Sequence, residues 1–261
     1  FATGAMVILV GKATRLAQFL DKDRKEYEAL VRFGFETDTG DLTGTAKDQL
    51  PITNYQLPIE DVEKVLPDFR GEIMQTPPMY SAKKIKGVKL YELARKGIEI
   101  ERKAVKVNIY ELEVQSAKCK VNSSDVLIRV SCSAGTYIRT LAEDIGRKIG
   151  VGAHLAALRR TRAGKFDLSQ AVTLEKLEEI AEENKLAEIF VSMNEAVSHL
   201  PETKLSADDI LKVKNGVKLQ CENKNYADNQ AIRLTDANEN LAAIGFYDAA
   251  GNFIQPKTVL L

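Results

Sequence analysis

The sequence predicts an α+β fold in two parts, and three observations carry that expectation. Strand-like and helix-like segments follow one another without the strict β-α-β alternation of a doubly wound sheet. No GxGxxG or GxxxxGK[ST] string is present, so the usual anchor of a nucleotide-binding α/β fold is missing. Beyond Pro201 the chain changes character, and its remaining residues read as short strands and turns.

Taken in order, Ala5–Val10 is an apolar run that reads as a short buried strand, followed by a helical segment around Lys12–Leu20. Lys25–Phe33 is rich in strand formers, and Thr37–Gly44 is a polar loop with two glycines. Pro58 precedes Ile59, Val62, Val65 and Leu66, whose spacing of three and four predicts a helix. A loop carries the Pro77-Pro78 pair, and Gly87–Lys96 reads as an amphipathic helix. Ala104–Val114 and Val126–Cys132 read as strands, the second with Val126, Ile128, Val130 and Cys132 on one face. Thr136–Ile149 reads as a helix that Gly135 permits and Thr136 caps, and Glu178–Leu186 as an acidic helix. Gln230–Leu234, Leu241–Tyr247 and Thr258–Leu261 read as strands, with a turn at Asp248–Asn252. The boundary is expected at 198–203, giving domains of 1–200 and 203–261.

At 261 residues the chain is long enough to bury a core without staples. Its longest apolar run falls far short of the ~20 residues of a membrane-spanning helix. The three cysteines are widely spaced with no CxxC, and there are two histidines, His154 and His199. This inventory supports neither a thiolate zinc site nor a His-rich metal centre. The cysteines read as reduced thiols, which points to the cytoplasm. Asp38 and Asp41 match no calcium-loop spacing and read as turn residues, and His154 reads as structural.

Lys+Arg and Asp+Glu are both 37, but the charges are not evenly mixed. Lys83–Lys106 carries nine basic residues against three acids, and Arg139–Lys165 seven against two. Asp167–Glu202 reverses the balance with nine acids against two lysines. A basic face with an acidic back would suit a phosphate backbone, while solvated helix faces would give the same counts.

Several strings occur in a fixed order. They are Phe1-Ala-Thr-Gly4, Gly11-Lys-Ala-Thr14, Lys25-Glu-Tyr27, Thr37-Asp-Thr-Gly-Asp41 and Gln75-Thr-Pro-Pro-Met-Tyr-Ser-Ala82. Further on come Arg129-Val-Ser-Cys-Ser-Ala-Gly-Thr-Tyr-Ile-Arg-Thr-Leu141 and Leu158-Arg-Arg-Thr161. Together they resemble the TruB family of tRNA pseudouridine synthases over nearly the whole chain. The tail resembles, more faintly, the family's small PUA-like RNA-binding module, through Ala243-Ile-Gly-Phe-Tyr247, Gly251 and Pro256-Lys257.

The resemblance implies a catalytic domain with a mixed, mainly antiparallel sheet and flanking helices, then a small β-rich module. It implies isomerisation of the uridine at position 55 in the TΨC loop of tRNA by base flipping, with no cofactor and no metal. The family's nucleophilic Asp would stand two residues before Phe1, so the sequence is read as lacking an N-terminal segment that holds it. Arg139 matches the arginine that pairs with that Asp. Tyr27 matches the tyrosine that stacks on the flipped uracil. Its phenol, with an ordinary pKa of about 10, is better suited to stacking than to removing the C5 proton. Tyr137 matches a pocket tyrosine and Leu158 an apolar residue beneath the base, so Tyr27 and Arg139 are expected around one cavity floored by Leu158.

Tyr80, Lys83, Lys84, Lys86 and Lys89 lie in the counterpart of an insertion, about 76–100, that closes over the RNA. Arg159 and Arg160 are assigned to RNA binding with them. The Tyr80–Gly87 string favours a stand-alone monomer over a guide-RNA-dependent subunit. The other reading is a non-catalytic tRNA-binding or RNA-folding protein, or a catalytically dead fragment, using the same basic surface; a purely binding role would have no need of Tyr27, Tyr137 and Arg139.

Overall fold

The computed structural model describes residues 2–20, 24–47, 58–85, 87–115, 124–221 and 225–261. The chain forms two compact units. The first comprises Phe1–Val7 and Lys22–Ala171, the second Ile8–Asp21 and Val172–Leu261.

In the first unit the elements run β1 (Ala2–Gly4), β2 (Lys25–Phe33), α1 (Ile59–Val65), β3 (Gly71–Gln75), β4 (Lys84–Ile85), β5 (Val88–Lys89) and α2 (Leu90–Ala94). They continue with β6 (Val105–Val114), β7 (Asp125–Cys132), α3 (Ile138–Ile149), β8 (Ala153–Ala163) and β9 (Phe166–Asp167). One seven-stranded sheet has the order β1-β8-β2-β7-β6-β3, with β9 on β8. The β1–β8 pair is parallel and every other pair antiparallel. The sheet is therefore mixed and mainly antiparallel, and β4 and β5 form a separate hairpin.

Period-two burial explains the sheet. In β7, Val126, Ile128, Val130 and Cys132 are all buried, as the alternation requires. The central strand β2 adds Ala29, Val31 and Phe33 to the same core. Helix α3 closes it with Ile138, Leu141, Ala142 and Ile145, one stripe at helical spacing. The helix ends at Gly150, whose φ of 93° is left-handed backbone suited to glycine.

The second unit carries α4 (Leu174–Glu182), α5 (Met193–Ala196), α6 (Ala207–Lys214) and the strands β10 (Glu202–Lys204), β11 (Leu219–Gln220), β12 (Ala231–Thr235), β13 (Leu241–Asp248) and β14 (Phe253–Val259). The five strands form a sheet of order β10-β12-β13-β14-β11. The early helical turns Gly11–Leu20 belong here: Leu16, fully buried, packs with Val197, Leu241, Ile244 and Leu260. Among the described residues, no helix is long and apolar enough to cross a membrane.

Several expectations are corrected. Ala5–Val10 forms no strand: Ala5 is buried, but Met6, Ile8 and Val10 are well exposed, and the chain passes here from the first unit to the second. The acidic helix lies at Leu174–Glu182, where Thr173 caps it by accepting from Lys176 N–H. Gly87–Lys96 divides into a hairpin strand and a short helix. The last strand is Phe253–Val259 rather than Thr258–Leu261. Thr136 does not cap α3, because its hydroxyl donates to the Ser133 carbonyl and Tyr137 is the preceding cap residue. As compact bodies the units divide at Ala171/Val172, with Val197 and the Gly11–Leu20 turns in one core with β13.

Candidate functional site

The candidate residues lie on β2, β8, α3 and the Thr37–Gly44 loop of the first unit. Tyr27 on β2 is opposite Arg160 on β8, and Ala29 is opposite Leu158. Residues directly opposite on paired strands share a face, so Tyr27, Leu158 and Arg160 lie on the core side of the sheet. Tyr27 and Leu158 both pack against the core cluster. Arg159, exposed, falls on the other face by strand alternation, opposite Glu28. The pair Arg159-Arg160 is thus divided between the two faces.

Arg160 is held within the protein: its Nε donates to the Ala5 carbonyl at 2.6 Å, just past β1. It also acts on Tyr27. Burial raises the Tyr27 phenol above its ordinary pKa, as does the nearby Cys132, while the Arg160 charge and hydrogen bond oppose them. A phenol pushed upward is a weak base at neutral pH, which favours stacking as its role.

Arg139 stands in the first turn of α3. Its Nη1 donates to Asp41 Oδ2 at 3.0 Å and to the Thr39 carbonyl at 3.1 Å, and its Nη2 donates to the Tyr80 carbonyl. The carboxylate paired with Arg139 is therefore Asp41, a pairing that the sequence reading did not find. Asp41 is nearly buried, and its Oδ1 accepts from Thr39 Oγ1 (2.8 Å), Thr43 Oγ1 (2.5 Å) and Thr43 N–H (3.0 Å). Burial pushes the Asp41 pKa up, but the threonine hydrogen bonds and the Arg139 charge outweigh it and hold it below the ordinary value. The loop is fastened to β8, where Leu42 N–H donates to the Leu155 carbonyl and Leu155 N–H to the Gly40 carbonyl. Leu155 precedes Leu158 on that strand, so β8 carries both the Asp41–Arg139 loop and the apolar residue.

Asp38 accepts from Thr45 N–H, so both aspartates serve the loop as turn residues. His154 is buried against Phe35, with Nδ1 3.1 Å from the Phe35 carbonyl, and burial lowers its pKa. The buried Cys132 thiol is pushed up to about 11, chiefly by burial, and is no nucleophile.

Tyr137, half-buried, immediately precedes α3. Tyr80 is half-buried and joins the site through its carbonyl. Lys84 and Lys89 pair across the β4–β5 hairpin, Lys83 directly precedes it, and Lys86 lies outside the described residues. Lys89 is 5.4 Å from the centre of the Tyr91 ring. The second basic stretch is largely held in ion pairs: Arg139 with Asp41, Arg147 with Glu36, Lys148 with Asp68, and Arg162 with Asp167. A hollow of about 260 Å³ lined by Glu26, Glu28, Gln115, Arg129 and Thr161 involves none of the predicted pocket residues.

Comparison with known proteins identifies the family. Residues 1–138 match the N-terminal domain of the TruB family of pseudouridylate synthases, and residues 139–198 match the C-terminal domain of tRNA pseudouridylate synthase B. The tRNA pseudouridine synthase B of Pelotomaculum thermopropionicum is 42% identical over 219 residues, covering 84% of this chain and 69% of that protein. That of Bacillus cytotoxicus is 37% identical over 244 residues, covering 93% and 78%. A crystal structure of a Cbf5–Nop10–Gar1 complex contains a similar chain, with a TM-score of 0.67 and 25% identity over 97% of this chain and 71% of that one. These matches, over residues 1–198 and to relatives at 37–42% identity, show that the chain belongs to the TruB family of pseudouridylate synthases.

Proposed function

We propose that this chain is the body of a stand-alone tRNA pseudouridine synthase that converts the uridine at position 55 of the TΨC loop to pseudouridine. The observation that carries the reading is Arg139, its guanidinium aimed by Asp41 and two backbone carbonyls beside the strand that holds Leu158. A planar, permanently charged fork fixed in this way can orient a second carboxylate and keep it ionised. In this reading that carboxylate is the nucleophilic Asp that the family resemblance implies. The reaction breaks the C1′–N1 bond, turns the uracil, and rejoins it through C5 with loss of the C5 proton. Tyr27 stacks on the flipped base and Leu158 supports it from below. Tyr80 and the lysines around β4 and β5 grip the RNA backbone. The five-stranded sheet of the second unit serves as a PUA-like RNA-binding module.

A stand-alone enzyme is favoured over a guide-dependent subunit by the sequence relatives, and we propose with it a cytoplasmic monomer. Identity to the tRNA pseudouridine synthase B proteins is 37–42%, against 25% to the chain in the Cbf5 complex. The test is tritium release from C5-labelled uridine in tRNA by the full-length protein. Release from wild type is expected at one site. Arg139→Lys, which keeps charge but loses the fork, is expected to slow release about a hundredfold with the fold intact. Tight tRNA binding without any release would favour a non-catalytic RNA-binding protein instead.

A further inference from the structure

Gln75, the last residue of β3, is fully buried. A buried carboxamide must find partners for both of its ends. Here both belong to one residue of another element: Gln75 Oε1 accepts from Tyr137 N–H at 3.0 Å, and Gln75 Nε2 donates to the Tyr137 carbonyl at 3.3 Å. The side chain offers Tyr137 the pair of bonds that a neighbouring strand would.

The position of this clasp matters. Tyr137 has extended backbone, φ −100° and ψ 104°, and no side chain caps α3 at this point. The Tyr137 carbonyl also accepts from Leu141 N–H, one of the first bonds of the helix. Gln75 therefore fixes the residue from which α3 starts, two positions before Arg139. Adjacent contacts run the same way: Thr140 Oγ1 donates to the Thr76 carbonyl and Arg139 Nη2 to the Tyr80 carbonyl. The segment from Gln75 to Tyr80 is thus laced to the first turn of α3, and the Gln75 amide is its buried end.

We infer that Gln75 is a positioning residue for the reaction, setting the main chain at Tyr137 and, through the first turn of α3, the direction of the Arg139 guanidinium. The inference rests on the proposed function, in which Arg139 orients the nucleophilic carboxylate. A positioning error at such a group is felt in turnover more than in RNA affinity, because lysines and phosphates away from the pocket supply the grip.

The test compares full-length wild type with Gln75→Met, which keeps length and volume but neither accepts nor donates, and with Gln75→Asn, which keeps both groups but falls short by one methylene. Three quantities are measured: single-turnover tritium release at saturating tRNA, tRNA Kd, and exchange of the Tyr137 amide hydrogen by NMR. Gln75→Met is expected to keep Kd within about twofold, to exchange the Tyr137 amide faster, and to slow release about tenfold to a hundredfold. Gln75→Asn should lie at or above it in rate.

Release within twofold of wild type would overturn the inference. So would a weakened Kd with unchanged release, since Gln75 would then serve the RNA grip. Loss of the fold in both variants, judged by circular dichroism, would make the amide a core-stabilising group and likewise overturn it. If wild type itself releases no tritium, the proposed function falls, and this inference with it.

Discussion

Asp41→Asn removes one charge from the Arg139 pair and preserves the shape of the side chain. The asparagine oxygen can take over the three bonds that Oδ1 accepts from Thr39 and Thr43. Its NH2 then stands where Oδ2 met Arg139 Nη1 at 3.0 Å, so a donor faces a donor. Breaking a fully buried pair costs about 3–5 kcal/mol, and losing one charge-assisted bond about 1.5–3 kcal/mol. The Arg139 side chain is 23% exposed and keeps its bonds to the Thr39 and Tyr80 carbonyls, so the lower range applies. With about 2 kcal/mol lost and about 2–4 °C per kcal/mol for a domain of this size, Tm should fall by roughly 4–8 °C at neutral pH. The Asp41 pKa is depressed in the folded state. Its contribution is therefore complete above the unfolded value of about 3.9 and is lost as pH falls through the folded value. The asparagine has no such titration, so the gap in Tm should hold from pH 7 down to about 4 and narrow only as pH falls below that. Paired thermal melts followed by circular dichroism measure both quantities. A gap under about 1 °C at neutral pH, or one that stays constant on acidification below about pH 4, would refute the reasoning.

Other outcomes follow from the same geometry. Tyr27→Phe keeps a stacking ring and removes the hydroxyl beside Arg160, so tRNA capture should persist while tritium release slows if the hydroxyl lies on the C5 proton route; equal release rates would take it off that route. Replacing Lys83, Lys84 and Lys86 together by Gln should weaken tRNA binding and flatten the dependence of log Kd on log salt by roughly 2–3, measured by filter binding across salt concentrations. Gly4→Ala should destabilise the first unit, seen as a lower Tm. Gly4 has φ 101°, and a Cβ there would lie 2.1 Å from the Arg160 carbonyl oxygen, a backbone atom that cannot step aside cheaply. Cys132 should resist alkylation in the native protein and react only on unfolding, as mass spectrometry would show.

Much of the frame was legible because it obeys short periods. Lys25–Phe33 is a strand over the residues expected, and the Val126–Cys132 alternation places all four residues in the core. Strand β8 was not anticipated. Ala153–Ala156 is buried on both faces and its second half alternates around arginines, so neither half shows a clean period-two signal by itself. Ala5–Val10 failed for the opposite reason: apolar composition suggested burial, but only Ala5 is buried, bonded to Arg160 of β8, and Met6, Ile8 and Val10 are left exposed. In the site, the motif strings mark Tyr27, Tyr137, Arg139 and Leu158. Asp41 and Gln75 occur in those same strings, but nothing local reveals their partners. The Asp41–Arg139 pair spans 98 residues and the Gln75–Tyr137 clasp 62, and such contacts are set by the fold rather than by spacing. A hint lay in residue type: an acid inside a Thr-rich turn and an amide ending a strand both demand partners once buried.

The second unit draws on both ends of the sequence, and this has a consequence for synthesis. Lys12 Nζ donates to the Leu261 carbonyl across 249 residues, and Arg15 reaches the Val259 carbonyl across 244. A ribosome emits the Gly11–Leu20 turns well before β13, β14 and Leu260, against which Leu16 is buried. Until then Leu16 has no native pocket, while every strand of the first sheet is already available to pair. Translation should therefore order the two units in time: the first can close on the nascent chain, and the second waits until β13 and β14 have been made. A ribosome stalled after β9 should expose the Gly11–Leu20 stretch to protease or chaperone, and completing the chain should remove that exposure.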